Sequence, residues 1–111
     1  MSDPVNKLDY TYIANLTSML PDIPEDTIVS RTFYGDDGIK GIVFGFAAGQ
    51  ELSEHTASRP AILHVLSGEA QLTLGEETFA AGPGTWIHMQ ARLAHSVLAQ
   101  TPVVLLLLLL P

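Results

Sequence analysis

The sequence contains no cysteine. That excludes disulfides, thiolate metal sites and covalent cysteine catalysis, and it suits a reducing compartment, so the cytoplasm is the expected location. Basic residues are scarce: 5 Lys and Arg stand against 12 Asp and Glu, for a formal net charge of -7. A surface of that sign repels phosphate backbones and anionic lipid, so no nucleic-acid partner is expected. Long apolar runs are missing too. The longest, Val103 to Leu110, falls well short of the roughly 20 residues that span a bilayer, so no membrane partner is expected either. The opening Met1-Ser2-Asp3-Pro4 lacks the basic and apolar regions of a signal peptide. No G-x-S-x-G, H-E-x-x-H, phosphate-loop or G-x-G-x-x-G pattern is present.

What is present suits one globular domain. The chain has 111 residues, 47% of them hydrophobic and 15% charged, enough for a single core. Gly, Pro and polar residues punctuate it at short intervals. Asp36-Asp37-Gly38 separates two runs rich in β-branched and aromatic residues, 28–34 and 39–46, which predicts a hairpin. Further strands are predicted over 61–66, 70–74, 85–89, 95–99 and 103–110. In the second of these, Ala70, Leu72 and Leu74 alternate with Gln71 and Thr73, the pattern of a half-buried strand. Glu76 and Glu77 read as a solvated turn. Many short strands between Gly/Pro turns indicate an all-β sandwich or barrel.

Residues 1–27 form an N-terminal segment, either swapped between subunits or packed on the barrel of residues 28–111. Within it, 10–20 fits a helical face or a strand equally, and Pro21 and Pro24 keep any helical turn near Asp22 brief. The leucine run carries its own information. A strand there is apolar on both faces, so both must be covered. A barrel interior covers one face. The other needs the N-terminal segment, another sheet or a second subunit, and a homodimer is expected.

The stretch Gly49 to Gly68 organises the rest. It resembles the first motif of the cupin superfamily, G-x5-H-x-H-x3-E-x6-G: Gly49, His55 and Gly68 fall in frame, while Ala57 stands at the second histidine and Ala61 at the glutamate. The second motif, G-x5-P-x-G-x2-H, is met by Gly84 and His95, with Gln90 at the proline and Arg92 at the glycine. The resemblance covers about residues 39–100. It implies a jelly-roll β-barrel (a double-stranded β-helix) with a pocket between its walls.

In metal-binding cupins the motif residues hold Mn, Fe, Ni or Zn. Here only His55 and His95 carry over, and a stable centre wants three or four protein donors. Two outcomes are therefore expected: no cofactor, or a divalent metal held by His55 and His95 with one further ligand. On strand 61–66, alternation turns Ala61, Leu63 and Val65 inward and His64 outward. His88 shares a strand face with Trp86. Only a β-bulge would bring His64 or His88 into the pocket as a third ligand. The ligand pocket is expected from His55, Leu63, Val65, Met89, Gln90, His95 and Val97, for a small-molecule ligand. Arg59 and Arg92 lie in the two motif loops, where they could pair with an anionic group, though the favoured reading is solvated loop arginines. The His-Asp dyad of the sugar-nucleotide epimerases in this superfamily has no counterpart, since the chain has no aspartate after Asp37. The favoured function is a small-molecule-binding cupin with a mostly apolar pocket. The alternative is a metal-dependent dioxygenase, isomerase or decarboxylase.

Overall fold

The computed structural model describes residues 9–111, and the side chain of His55 lies outside that description. Among these residues, nine strands follow one short 3-10 turn, Leu16–Met19: β1 Ile28–Gly35, β2 Lys40–Phe46, β3 Glu51–His55, β4 Ala61–Ser67, β5 Ala70–Leu74, β6 Glu77–Ala81, β7 Trp86–Met89, β8 His95–Ala99 and β9 Val103–Leu109. They form two antiparallel sheets, ordered β1-β2-β9-β4-β7 and β3-β8-β5-β6. The all-β expectation holds. The expectation of a closed barrel needs correction: the two sheets face each other as a jelly-roll sandwich, and among the described residues no ladder joins one to the other. Glu77 also departs from the turn reading, because it opens strand β6.

The core lies between the sheets. From the five-stranded sheet it takes Phe46, Leu63, Val65, Met89, Val103 and Leu105, and from the other Leu72, Ala81, Val97 and Ala99. Strand β4 shows why: Ala61, Leu63 and Val65 are buried while Ile62, His64 and Leu66 are only half-buried, the two-residue period of a strand with one face inward. Fully burying a side chain such as Leu72 or Leu105 stabilises by about 1.5–3 kcal/mol.

The leucine run becomes β9, in the middle of the larger sheet between β2 and β4. Its other face is covered in part by the N-terminal segment. Gly45 of β2 leaves the space, since a Cβ there would stand 2.5 Å from Ile23 and 3.1 Å from Leu20. Thr11 and Ile13 reach further along the same face, lining a groove with Phe33, Gly41 and Leu108. The ambiguous region 10–20 thus resolves as extended chain with one 3-10 turn, capped by the Asn15 side chain, which accepts from the Thr17 amide at 3.0 Å.

Two ends of the sandwich differ. At one end the turn Ser67–Glu69 packs on the turn Gln100–Pro102: the Gln100 amide donates to the Glu69 carbonyl at 2.9 Å and the Glu69 amide to the Thr101 hydroxyl at 2.9 Å. Gly68 is required there, with φ 88° and the Pro102 carbonyl oxygen only 2.0 Å from where a Cβ would stand. At the other end lie the loops 56–60 and 90–94, the β1–β2 turn and the end of β9.

Candidate functional site

His95 sits at that second end. It is the first residue of β8 and the one buried polar residue named among the described core, 7% exposed. Alternation along β8 buries His95, Val97 and Ala99 together, so the imidazole belongs to the inward face. Its Nδ1 lies 2.9 Å from the Leu93 carbonyl oxygen. A carbonyl only accepts, so Nδ1 carries the proton and, in the neutral ring, Nε2 is the acceptor nitrogen.

His55 takes the register position directly opposite His95. A bulge in β3 makes this happen. Leu52 pairs with Val97, yet His55, three residues on, pairs with His95, two residues back. Without the extra residue, Glu54 would stand opposite His95. The bulge thus brings the two motif histidines together, whereas the sequence reading looked for a bulge beside His64 and His88.

Neither His64 nor His88 is turned inward: the register shift on β4 lies beyond His64, between Val65 and Ser67 on the β9 side. The β4–β7 ladder runs unbroken from Ala61 opposite Met89 to His64 opposite Trp86. His64 is half-buried and His88 exposed, both on the face turned away from the core. Neither approaches the inward face that holds His95. Among the described residues no group of three or more His, Asp or Glu is arranged to hold a metal ion.

Other anticipated positions divide by depth. Met89 and Leu63 are inward and buried near the His95 end, at 2% and 4% exposure, and Val65 and Val97 lie deeper in the core. Gln90 is exposed in the 90–94 loop, its carbonyl accepting from the Leu93 amide at 3.4 Å. Arg59 does not await a ligand. Its Nε donates to the Leu110 carbonyl at 2.7 Å and its Nη2 to that of Leu109 at 3.3 Å, which ties the loop 56–60 to the end of β9. Arg92 has an exposed side chain but a constrained backbone: φ is 70°, in the left-handed region, and its amide donates to the Ala57 carbonyl at 2.7 Å. That bond joins the two motif loops.

Inward residues at this end that the sequence reading missed are Ile42, Leu107 and Leu109, with Leu52 and Leu74 from the opposite sheet. All are half-buried although they belong to inward faces. Their partial exposure sets this end apart from the fully buried residues nearer the turn end. Parity along the leucine run could have found two of them, since Leu107 and Leu109 share a face with Leu105.

Ala61 decides the chemistry of this end. It is 2% exposed, inward, and flanked in register by Met89 and Leu109. Where the motif resemblance would put a ligating carboxylate, this chain presents a methyl group among apolar side chains. Ala57, at the other erased position, lies in the loop and offers no donor atom from its side chain. Two imidazoles fall short of the three or four protein donors of a stable first-row metal centre, so the residues present do not fit a resident metal.

Residues 42–109 match the family model for the cupin domain. That is more than half of the chain, and the chain belongs to the cupin family. Solved structures agree. A conserved protein of unknown function from Streptococcus pyogenes is 28% identical, with a TM-score of 0.79, over 93% of this chain and 90% of that one. A cupin superfamily protein from Desulfitobacterium hafniense is 21% identical, with a TM-score of 0.81, over 93% and 94%. A DMSP lyase from Ruegeria pomeroyi is also similar in fold, 21% identical with a TM-score of 0.72, over 78% of this chain and 48% of the lyase. No curated protein matches the chain. No helix among the described residues is long and apolar enough to cross a membrane.

Proposed function

We propose that this cupin domain binds a small, largely apolar molecule at the His95 end of the sandwich, without a resident metal. Buried Ala61 carries the reading: it removes the carboxylate that would charge the site, and its register neighbours Met89 and Leu109 are apolar. His55 and His95 supply the polar contacts. Leu63, Met89, Leu107 and Leu109 supply the walls, with Val65 and Val97 beneath them. A ligand pairing one hydrogen-bond donor with an apolar body suits that combination, the usual division of labour in small-molecule sites. We place the domain in a homodimer, because Leu106 and Leu108 of β9 remain half-buried beyond the reach of the core.

The test is an NMR titration of the isotope-labelled chain with a panel of small compounds that each pair one donor group with an apolar body. Binders are expected to shift amides of β8, of the 90–94 loop and of the end of β9, and to lose affinity at least about tenfold in His95→Leu, as expected when a hydrogen bond in a dry site is removed. Binders that act elsewhere, or affinity unchanged in His95→Leu, would overturn the proposal. Retention of one tightly held metal per chain would favour the metal-dependent enzyme instead.

A further inference from the structure

Phe79 is more exposed than its place in the ladder requires. On the β5–β6 pair, Ala81 stands opposite Ala70 and Phe79 opposite Leu72, so Phe79 belongs to the inward face. Ala70, Leu72 and Ala81 are almost completely buried, yet Phe79 is 46% exposed. An inward aromatic ring left in water forgoes much of its burial energy. The ring borders a cavity of about 300 Å³, shared with Leu74 and Ala80 of the smaller sheet and with Thr85, Trp86 and Ile87 on the side of the larger.

This cavity lies in the seam between two sheet edges. Strand β6 ends the smaller sheet and β7 ends the larger, and among the described residues no ladder joins them. Ile87 is inward, opposite Leu63, and forms the inner wall. Trp86 has the opposite parity and reaches round the edge of β7 to border the same space, 58% exposed. No ionisable side chain lines the cavity. Its polar residue, Thr85, accepts with its hydroxyl from the Gly82 amide at 3.0 Å. Leu74 connects the cavity to the site described above. It pairs with Glu77 on one side and directly with His95 on the other, so one side chain borders the cavity and neighbours the histidine.

We infer that this cavity takes the body of the ligand held at His95, and that the body is a neutral aromatic ring system. The inference rests on the reading of the His95 end as a ligand site. Phe79 and Trp86 approach from different sheets, and aromatic rings gain from offset or edge-to-face contact beyond the area they bury. The volume stands at the small end of the range for small-molecule sites, which suits one or two fused rings. Glu77, opposite Leu74 and exposed at the rim, disfavours an anionic group on those rings. The donor group of the ligand therefore sits at His95 and its rings between β6 and β7. Entry is from the side of the sandwich, not past the loops 56–60 and 90–94.

The test uses 2-naphthol and decahydro-2-naphthol, which share a skeleton and a hydroxyl and differ in aromaticity. Each is titrated into the isotope-labelled full chain and followed by NMR. Trp86 is the only tryptophan, so its indole N–H gives a single signal. 2-Naphthol is expected to shift that signal and the Phe79 and Ala80 amides together with the amides of β8. It should bind at least about threefold more tightly than the saturated alcohol. Phe79→Thr, at an exposed edge position, should weaken 2-naphthol at least about fivefold, with an unchanged circular dichroism spectrum as the check on folding. Trp86→Thr, followed at the Phe79 amide, should do the same. Shifts in β8 with none at Trp86 or Phe79, or affinity unchanged in both folded variants, overturn this inference and leave the His95 reading standing. Equal or tighter binding of decahydro-2-naphthol overturns the aromatic body. Shifts confined to β6 and β7, with affinity unchanged in His95→Leu, overturn the His95 reading and the joined site with it. If 2-naphthol binds nowhere, the inference fails whatever other compounds do.

Discussion

The two ends of the sandwich are built to different standards. At the turn end, Phe46, Ala70, Ala81, Ala99 and Val103 are almost completely buried, and backbone packs on backbone where Gly68 meets Pro102. At the His95 end, inward side chains such as Ile42, Leu107 and Leu109 stay half-buried, and the loops 56–60 and 90–94 lie beside the β1–β2 and β5–β6 turns. The cupin pattern divides along the same line. Gly49, Gly68 and Gly84 are kept where the chain adopts positive φ at the turn end. The substitutions Ala57, Ala61, Gln90 and Arg92 all fall at the His95 end. What the fold requires is present, and what a metal would require is absent.

The sharpest way to break the contrast is Gly68→Ala. A methyl group there meets the Pro102 carbonyl and sits at a φ that disfavours side chains, so we expect a loss of about 3 kcal/mol or more in urea unfolding. The His95 end should respond differently to insertion. Ala57→His with Ala61→Glu restores the missing donors in a largely apolar site. Without metal, the buried carboxylate should destabilise by about 2–4 kcal/mol. Added Zn should recover that loss and bind at least about a hundredfold more tightly than to the wild type, measured by calorimetry. A folded variant with no gain in affinity would mean that Ala57 and Ala61 do not flank the histidine pair.

Smaller effects probe the loops. Arg59→Ala removes two hydrogen bonds to the end of β9 and should lower stability by about 1–2 kcal/mol, with faster amide exchange near Leu110. Arg92→Gly should raise stability by up to about 1 kcal/mol, because relief of the left-handed φ exceeds the added freedom of the unfolded chain. A loss of stability would show that the arginine side chain contributes more than its backbone strain removes. The smallest effect belongs to the β1–β2 turn. The Tyr34 hydroxyl foremost, and then the Ile39 and Gly38 amides, hold the Asp36 carboxyl below its ordinary value. Its folded-state pKa is depressed, so its contribution is present above the unfolded value, about 3.9, and fades as pH falls through the lower folded value. Melting temperatures of wild type and Asp36→Asn should therefore converge toward pH 2. A gap independent of pH would assign the effect to the turn hydrogen bonds alone.

Much of the fold was legible in the sequence because alternation and turn chemistry are local. The β1–β2 hairpin, the outward setting of His64 and the two-faced leucine strand all follow from a two-residue period. Strands β3 and β6 were not, because they are the two edges of their sheet, β6 with four of five residues exposed. Edge strands lose the apolar signature that periodicity detects. The sandwich in place of a closed barrel depends on long-range pairing, which spacing does not encode. At the site, His55 and His95 could be found by motif spacing. Their direct pairing could not, because it hangs on one extra residue between Leu52 and His55. The tie made by Arg59 was not legible for a related reason: its partners are main-chain carbonyls some fifty residues away.

The central claim is that the His55–His95 end is a ligand site without a resident metal. The most direct measurement is the metal content of untagged protein, before and after incubation with excess Mn, Fe, Ni or Zn followed by gel filtration. The account predicts well under one equivalent of any metal per chain in both samples. One equivalent retained by the wild type, and lost in His55→Ala/His95→Ala, would contradict it.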